Sequence, residues 1–304
     1  MLGWRLFLSA LLIPALIALF VLDARSGESA PLLFVFCLAL ALRGAWELVA
    51  LLRTRNMAPT YSLPALGTVA LIGAAWSPWL PTIGTAGEPP FAGPGTDALA
   101  AIGLTYSLVV LVLLLGAAIR YQEPGQSMES LGAELLVVSY IGILLAVTAQ
   151  LRWVAGAEAG YLVLASLVIA AKCGDIGAYT LGRLFGRRKL IPRLRPGKTW
   201  MGAWGALLGA GLGAWGWLHF ATPAFNADWS PPSALPTIAY GVIIGVVGLV
   251  GDLCESLIKR DVGQKDSAKL LPGFGGLLDL LDSVLYAGPV AYVLWQTLPL
   301  ATWR

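Results

Sequence analysis

A chain of 304 residues that is 58% hydrophobic and 12% charged, with a mean hydropathy of +0.77, is built for lipid, which excludes a single soluble domain. Its net charge of +3 sits in short loops between apolar runs, so no basic domain exists to bind nucleic acid. Its single histidine and three cysteines, the cysteines all inside apolar runs, argue against a zinc site and a disulfide framework.

A helix needs roughly 20 apolar residues to cross a bilayer, and nine stretches meet or approach this. The first, 4–22, lacks a small-residue cleavage site and is expected to stay as a helix rather than be removed as a signal peptide. The second, 30–52, carries Arg43 and Glu47 at i,i+4, a spacing that pairs them. The third, 62–80, is the weakest because Pro64, Pro78 and Pro81 interrupt it. A Gly/Pro-rich stretch at 84–97 leads to the fourth and fifth, 97–119 and 131–150. These five carry few internal charges, so residues 1–155 read as N-terminal transmembrane helices that act as scaffold.

The second half, 156–304, differs and reads as the catalytic transmembrane domain. Its first segment, 159–182, places Lys172, Asp175 and Tyr179 on one helical face. Ionisable residues in a spanning helix face the bundle interior or a wet cavity; a buried structural ion pair is the alternative. The loop GRLFGRRKLIPRLRPGKTWMG at 182–202 holds no acid, so it expects an anionic partner, either lipid headgroups or a nucleotide. Within it, Pro196-Gly197-Lys198-Thr199 looks like a phosphate cradle of turn amides, a lysine and a hydroxyl, leading into the segment 201–220. The GxxxxGK[ST] spacing is absent, so the signal is weak alone.

The eighth stretch, 234–258, ends with Asp252, Glu255, Ser256 and Lys259 on one stripe, followed by Arg260, Lys265 and Asp266. A Pro-Gly-Phe-Gly-Gly turn at 272–276 precedes the ninth, 277–299, which opens with Asp279 and Asp282 one turn apart. Mg²⁺ takes hard oxygen ligands, commonly one or two carboxylates with substrate phosphates, and Asp252 and Asp279 are the expected pair. Gly275 and Gly276 would let backbone approach a phosphate closely. An ion-pair network that only staples two helices is the alternative.

The fold expected is therefore all-α, a polytopic membrane protein of about nine transmembrane helices. With the N-terminus in the cytoplasm, Arg5, Arg53, Arg55, Arg120, the run from Arg183 to Lys198 and the run from Lys259 to Lys269 all fall on the cytoplasmic side. Only Arg25, Arg152 and Arg304 fall opposite, as the positive-inside rule asks. Trp4, Trp76, Trp79, Trp153, Trp200, Trp295 and Trp303 stand near segment ends, where an aromatic belt would lie.

Residues 251–282, GDLCESLIKRDVGQKDSAKLLPGFGGLLDLLD, resemble the signature of the CDP-diacylglycerol synthases (phosphatidate cytidylyltransferases). That pattern runs Ser-x-x-Lys-Arg, four residues, Lys-Asp, a Pro-x-His-Gly-Gly turn, then Asp-Arg-x-Asp. Ser256, Lys259, Arg260, Lys265, Asp266, Pro272, Gly275, Gly276, Asp279 and Asp282 match it without a gap. Asp175 to Tyr179, Gly182, Phe185-Gly186 and Pro196 to Trp200 resemble a second conserved region, and the similarity covers about residues 170–290.

The resemblance implies transfer of a cytidylyl group from CTP to phosphatidic acid with Mg²⁺, in the inner (cytoplasmic) membrane, at a site facing the cytoplasm among membrane lipids. It implies catalytic Asp252, Asp279, Asp282, Lys259, Lys265 and Asp266, with Asp252 and Asp279 on the metal. Substrates would meet Lys198, Thr199, Arg260, Ser256, Gly275, Gly276, Asp175 and Tyr179. A homodimer is compatible with such a chain. Four positions depart from the pattern: Phe274 for His, Leu280 for Arg, Arg195 for Ser and Met201 for Glu. They leave open a paralogue that is weak or acts on another lipid phosphate. A transporter is the alternative from another class, though the charges cluster at one face and no inverted repeat relates the halves.

Overall fold

The computed structural model describes residues 2–55, 57–79, 96–125, 127–268 and 275–302. Phe274 and nearly all of the Gly/Pro-rich stretch 84–97 lie outside them. Helices α1 (Leu2–Arg25), α2 (Pro31–Leu52), α3 (Ser62–Trp76) and α4 (Thr96–Arg120) open the chain. Helix α5 (Ser127–Val137) continues through a π-helical turn, Val138–Ile143, into α6 (Leu144–Ala149). Then come α7 (Gly160–Phe185), a hairpin of β1 (Lys189–Ile191) and β2 (Arg195–Thr199), α8 (Trp200–Phe225), α9 (Ala234–Asp261) and α10 (Leu278–Thr297). The architecture is that of an all-α polytopic membrane protein.

Each of the nine apolar stretches contains helix, but among the described residues seven helices are both long and apolar enough to cross a membrane. The other two stretches hold α3 and α8. Helix α3 has 15 residues: Pro64 is accommodated in its first turn, where no amide is missed, and the helix stops before Pro78. Helix α8 is long enough at 26 residues but is not among the seven.

Contacts divide the chain into two compact units, Met1–Gln150 with Val262–Leu280, and Leu151–Asp261 with Leu281–Arg304. In the first, buried acids satisfy helix starts remote from them. Asp23 Oδ1 accepts from the amides of Leu32 (2.6 Å) and Leu33 (3.2 Å) at the start of α2. Glu134 accepts from Thr60 N (2.8 Å) and Thr60 Oγ1 (2.7 Å) just before α3, and from Arg120 at 3.0 Å on each oxygen. The first amides of a helix have no partner within it, so a carboxylate there is doubly favoured, by hydrogen bonds and by the dipole.

Small residues organise the second unit. Gly177 of α7 and Gly205 of α8 lie so close that a Cβ on either would strike the other's carbonyl oxygen. Likewise Gly241 and Gly245 of α9 sit on the backbone of α8 at Ala210 and Ala206. Where lipid replaces water, such close backbone approach supplies the packing that holds helices together. In the core, Ser166 Oγ meets Tyr240 Oη at 3.0 Å and accepts from Trp295 Nε1 at 3.3 Å. The aromatic belt is smaller than the sequence suggests: Trp76, Trp153 and Trp295 are core residues, whereas Trp200 is exposed.

Candidate active site

Helix α9 carries the centre of the site. Its last three turns bury Asp252, Glu255, Ser256 and Lys259 on one stripe. Asp282 of α10 joins them because Gly251 has no side chain: a Cβ there would meet Tyr286 and the Asp282 carbonyl oxygen. Ligand oxygens of Asp252, Glu255 and Asp282 all lie within 4.8 Å of one another. Three carboxylates this close repel unless cations stand among them. Arg195 and Lys198 both pair with the Asp252 carboxylate, and Lys259 pairs with Glu255 one turn back on α9. Arg195 Nη1 also donates to Ser256 Oγ at 3.0 Å.

The two cations that reach Asp252 come from the hairpin. Pairing of Lys189 with Thr199 and of Ile191 with Arg195 draws residues 195–199 into β2. The sequence led us to expect a turn at Pro196 to Thr199; the segment is a strand instead, and Pro196 has no amide to offer a phosphate. Thr199 ends the strand as the N-cap of α8, its Oγ1 accepting from Gly202 N at 3.1 Å. Burial, and then the neighbouring Arg195 cation, push the Lys198 ammonium down to about 8, while the carboxylates of Asp282 and Asp175 pull the other way.

Asp175 reaches the same neighbourhood from α7, lining a small recess with Gly174, Ala178, Lys198, Gly245 and Gly248. Its pair with Lys172, at 3.2 Å, is not buried: the side chains are 51% and 38% exposed. Tyr179 is exposed and takes a hydrogen bond from Arg183 at 2.5 Å. Arg260 is exposed at the end of α9.

The remaining sequence candidates belong to the other unit. Lys265 and Asp266 are exposed in the bend after α9. Asp279 Oδ2 accepts from Ser267 N (2.9 Å), Ser267 Oγ (2.9 Å) and Gly276 N (2.8 Å). The glycine pair answers to carboxylates in this structure. Gly275 has φ +96° and no room for a Cβ against Asp279, and a Cβ on Gly276 would meet Ser267 and Glu47. Sequence reasoning paired Asp252 with Asp279; among the described residues, the acids that converge are Asp252, Glu255 and Asp282. Glu255 is the acid that reasoning left out of the metal site. Its position three residues after Asp252, on the same stripe, was the available signal.

Carboxylates set among cations, beside a basic hairpin, suit a cation and phosphates. The family model described as "Cytidylyltransferase family" matches residues 4–298. The chain belongs to the cytidylyltransferase family. Among curated relatives, this family member is 39% identical over 130 residues to a phosphatidate cytidylyltransferase of Haemophilus influenzae, covering 43% of this chain and 44% of that protein. It is 42% identical over 122 residues to one of Pseudomonas aeruginosa, covering 40% and 43%. It is also 37% identical over 135 residues to the uncharacterized protein YnbB of Escherichia coli, covering 44% and 43%. The chain thus spans less than half the length of each of these relatives.

Proposed function

We propose that the protein is a membrane-embedded cytidylyltransferase that joins CTP to phosphatidate, giving CDP-diacylglycerol and pyrophosphate with Mg²⁺. The convergence of Asp252, Glu255 and Asp282 with Arg195 and Lys198, in a chain of this family, carries the reading. The donor set is hard oxygen throughout, which suits Mg²⁺, and Asp252, Asp282 and Glu255 would hold it. Bound there, the ion would neutralise charge on phosphate oxygens.

The chain's own residues do the rest. An oxygen of the lipid phosphate attacks the α-phosphorus of CTP, a new P–O bond forms, and the bond to the bridging oxygen breaks to release pyrophosphate. The nucleophile is already anionic, so no strong base is required, in keeping with a single, remote His219. Such a transfer asks for positioning and fixed positive charge, which Lys198, Arg195, Lys259 and Arg260 supply around the acids. Asp175 borders the same recess. Ser256 and Thr199 would meet the substrates beside these groups, and Asp279 orders its own segment.

In this reading the chain crosses the inner membrane nine times from a cytoplasmic N-terminus, with the site open to cytoplasmic CTP. A second reading, a relative acting on another lipid phosphate, draws support from Arg195 and Leu280, which depart from the pattern the chain resembles. Purified full-length protein incubated with labelled CTP, phosphatidate and Mg²⁺ tests the first reading. CDP-diacylglycerol is the expected product; none from phosphatidate, but product from another lipid phosphate, would favour the second.

A further inference from the structure

Sequence assigns Glu47 a pair with Arg43 and nothing more, and assigns the first half of the chain a scaffold role. The structure gives Glu47 additional work. It is fully buried on α2, with Arg43 Nη2 at 2.9 Å from Oε1. Oε1 also accepts from Leu277 N at 3.0 Å, and Oε2 from Leu278 N at 3.1 Å. Ser267 Oγ stands 3.3 Å from Glu47 Oε2 and 2.9 Å from Asp279 Oδ2. One hydroxyl proton therefore lies between two carboxylates, and Asp279 binds Ser267 N and Gly276 N as well.

Capping alone does not require this arrangement, because a local Ser or Asp would satisfy the first amides of α10. Glu47 reaches past the cap to Ser267, and Ser267 leads to Asp279. Both ends of the segment 267–279 are thereby tied to one buried carboxylate on α2. The absence of a side chain at Gly276 makes the approach possible, since a Cβ would meet both Ser267 Oγ and the Glu47 carboxylate.

We propose that Glu47 is a positioning residue for cytidylyl transfer, fixing the signature segment through Leu277, Leu278, Ser267 and Asp279. This rests on the function proposed above. It makes the first half of the chain a participant in the reaction, although Glu47 itself touches no substrate.

The test compares full-length parent, Glu47→Gln and Glu47→Asp in detergent. Glutamine keeps the size but offers one acceptor oxygen and sets an NH₂ against the second amide. Hydrogen exchange over residues 275–280 reads the tether, turnover with CTP and phosphatidate reads the reaction, and the thermal midpoint reads the fold. Glu47→Gln should exchange faster there and lose about ten- to a hundredfold in kcat, the effect of one or two charged hydrogen bonds. KM for CTP and the thermal midpoint should move little, and Glu47→Asp should recover part of the loss. Should Glu47→Gln fail to fold, Glu47→Asp carries the same comparison. Parental exchange with parental kcat would overturn the inference, as would activity that falls only in proportion to the folded fraction. A parent inert toward phosphatidate and other lipid phosphates would instead overturn the cytidylyl-transfer reading, and Glu47's part in it.

Discussion

Asp252 is held by two cations at once, and that fact governs what single substitutions at the site should do. Asp252→Asn removes a hard anionic ligand and leaves Arg195 and Lys198 without their partner, so turnover should fall about a hundredfold or more, beyond what loss of an outer-sphere contact costs. Asp282→Asn should do the same. Either variant keeping near-parental, Mg²⁺-dependent activity while folded would remove these acids from the site. Arg195 invites the opposite change. Its guanidinium occupies a carboxylate that a divalent cation would otherwise take, and its side chain is 38% exposed, so the pair is partly screened. Arg195→Ser should therefore tighten Mn²⁺ binding, read by electron paramagnetic resonance without substrate, by up to about fivefold, the equivalent of a partly exposed ion pair. Unchanged affinity would mean that the arginine and the metal do not compete.

At the scale of elements, the helices were legible because long apolar runs in lipid have few alternatives to helix. The stripe Asp252, Glu255, Ser256, Lys259 was legible for a related reason: i,i+3 and i,i+4 spacing fixes which residues share a face. What sequence could not give was any partner lying far along the chain. Glu47 serves amides 230 and 231 residues away, and Glu134 serves Thr60 from 74 residues away. No local periodicity announces such caps. Gly275 and Gly276 suggested phosphate from sequence; in the structure a Cβ at 275 would meet Asp279, and one at 276 would meet Ser267 and Glu47. Gly177 and Gly205 make a direct test of the packing argument. A leucine at either would force α7 from α8, and overpacking of this kind costs about 1–3 kcal/mol or more. Gly205→Leu should lower the thermal midpoint in detergent clearly, whereas Gly216→Leu, where no atom lies within 4 Å of an added Cβ, should not. Equal effects at the two positions would deny the close approach its role.

For the whole molecule, the number of crossings is the property least accessible to composition. Seven helices among the described residues have both the length and the apolarity to span, and α3 and α8 are not among them. Charge supplies the missing argument. The hairpin and its flanks hold six basic residues from Arg187 to Lys198 and no acid, and the bend after α9 follows Lys259 and Arg260. Short loops of this kind stay in the cytoplasm, where CTP is also found. The chain has three cysteines, at 37, 173 and 254, and replacing them with serine leaves a background for labelling. In that background, Arg193→Cys and Gln264→Cys should each react with a membrane-impermeant maleimide in inside-out vesicles and stay unlabelled in right-side-out ones. Labelling of Arg193→Cys from outside would invert the proposed orientation and remove the hairpin cations from reach of cytoplasmic nucleotide. Labelling of Gln264→Cys alone from outside would instead change the parity of crossings between the hairpin and the signature segment, making one of α8 and α9 a helix that does not span.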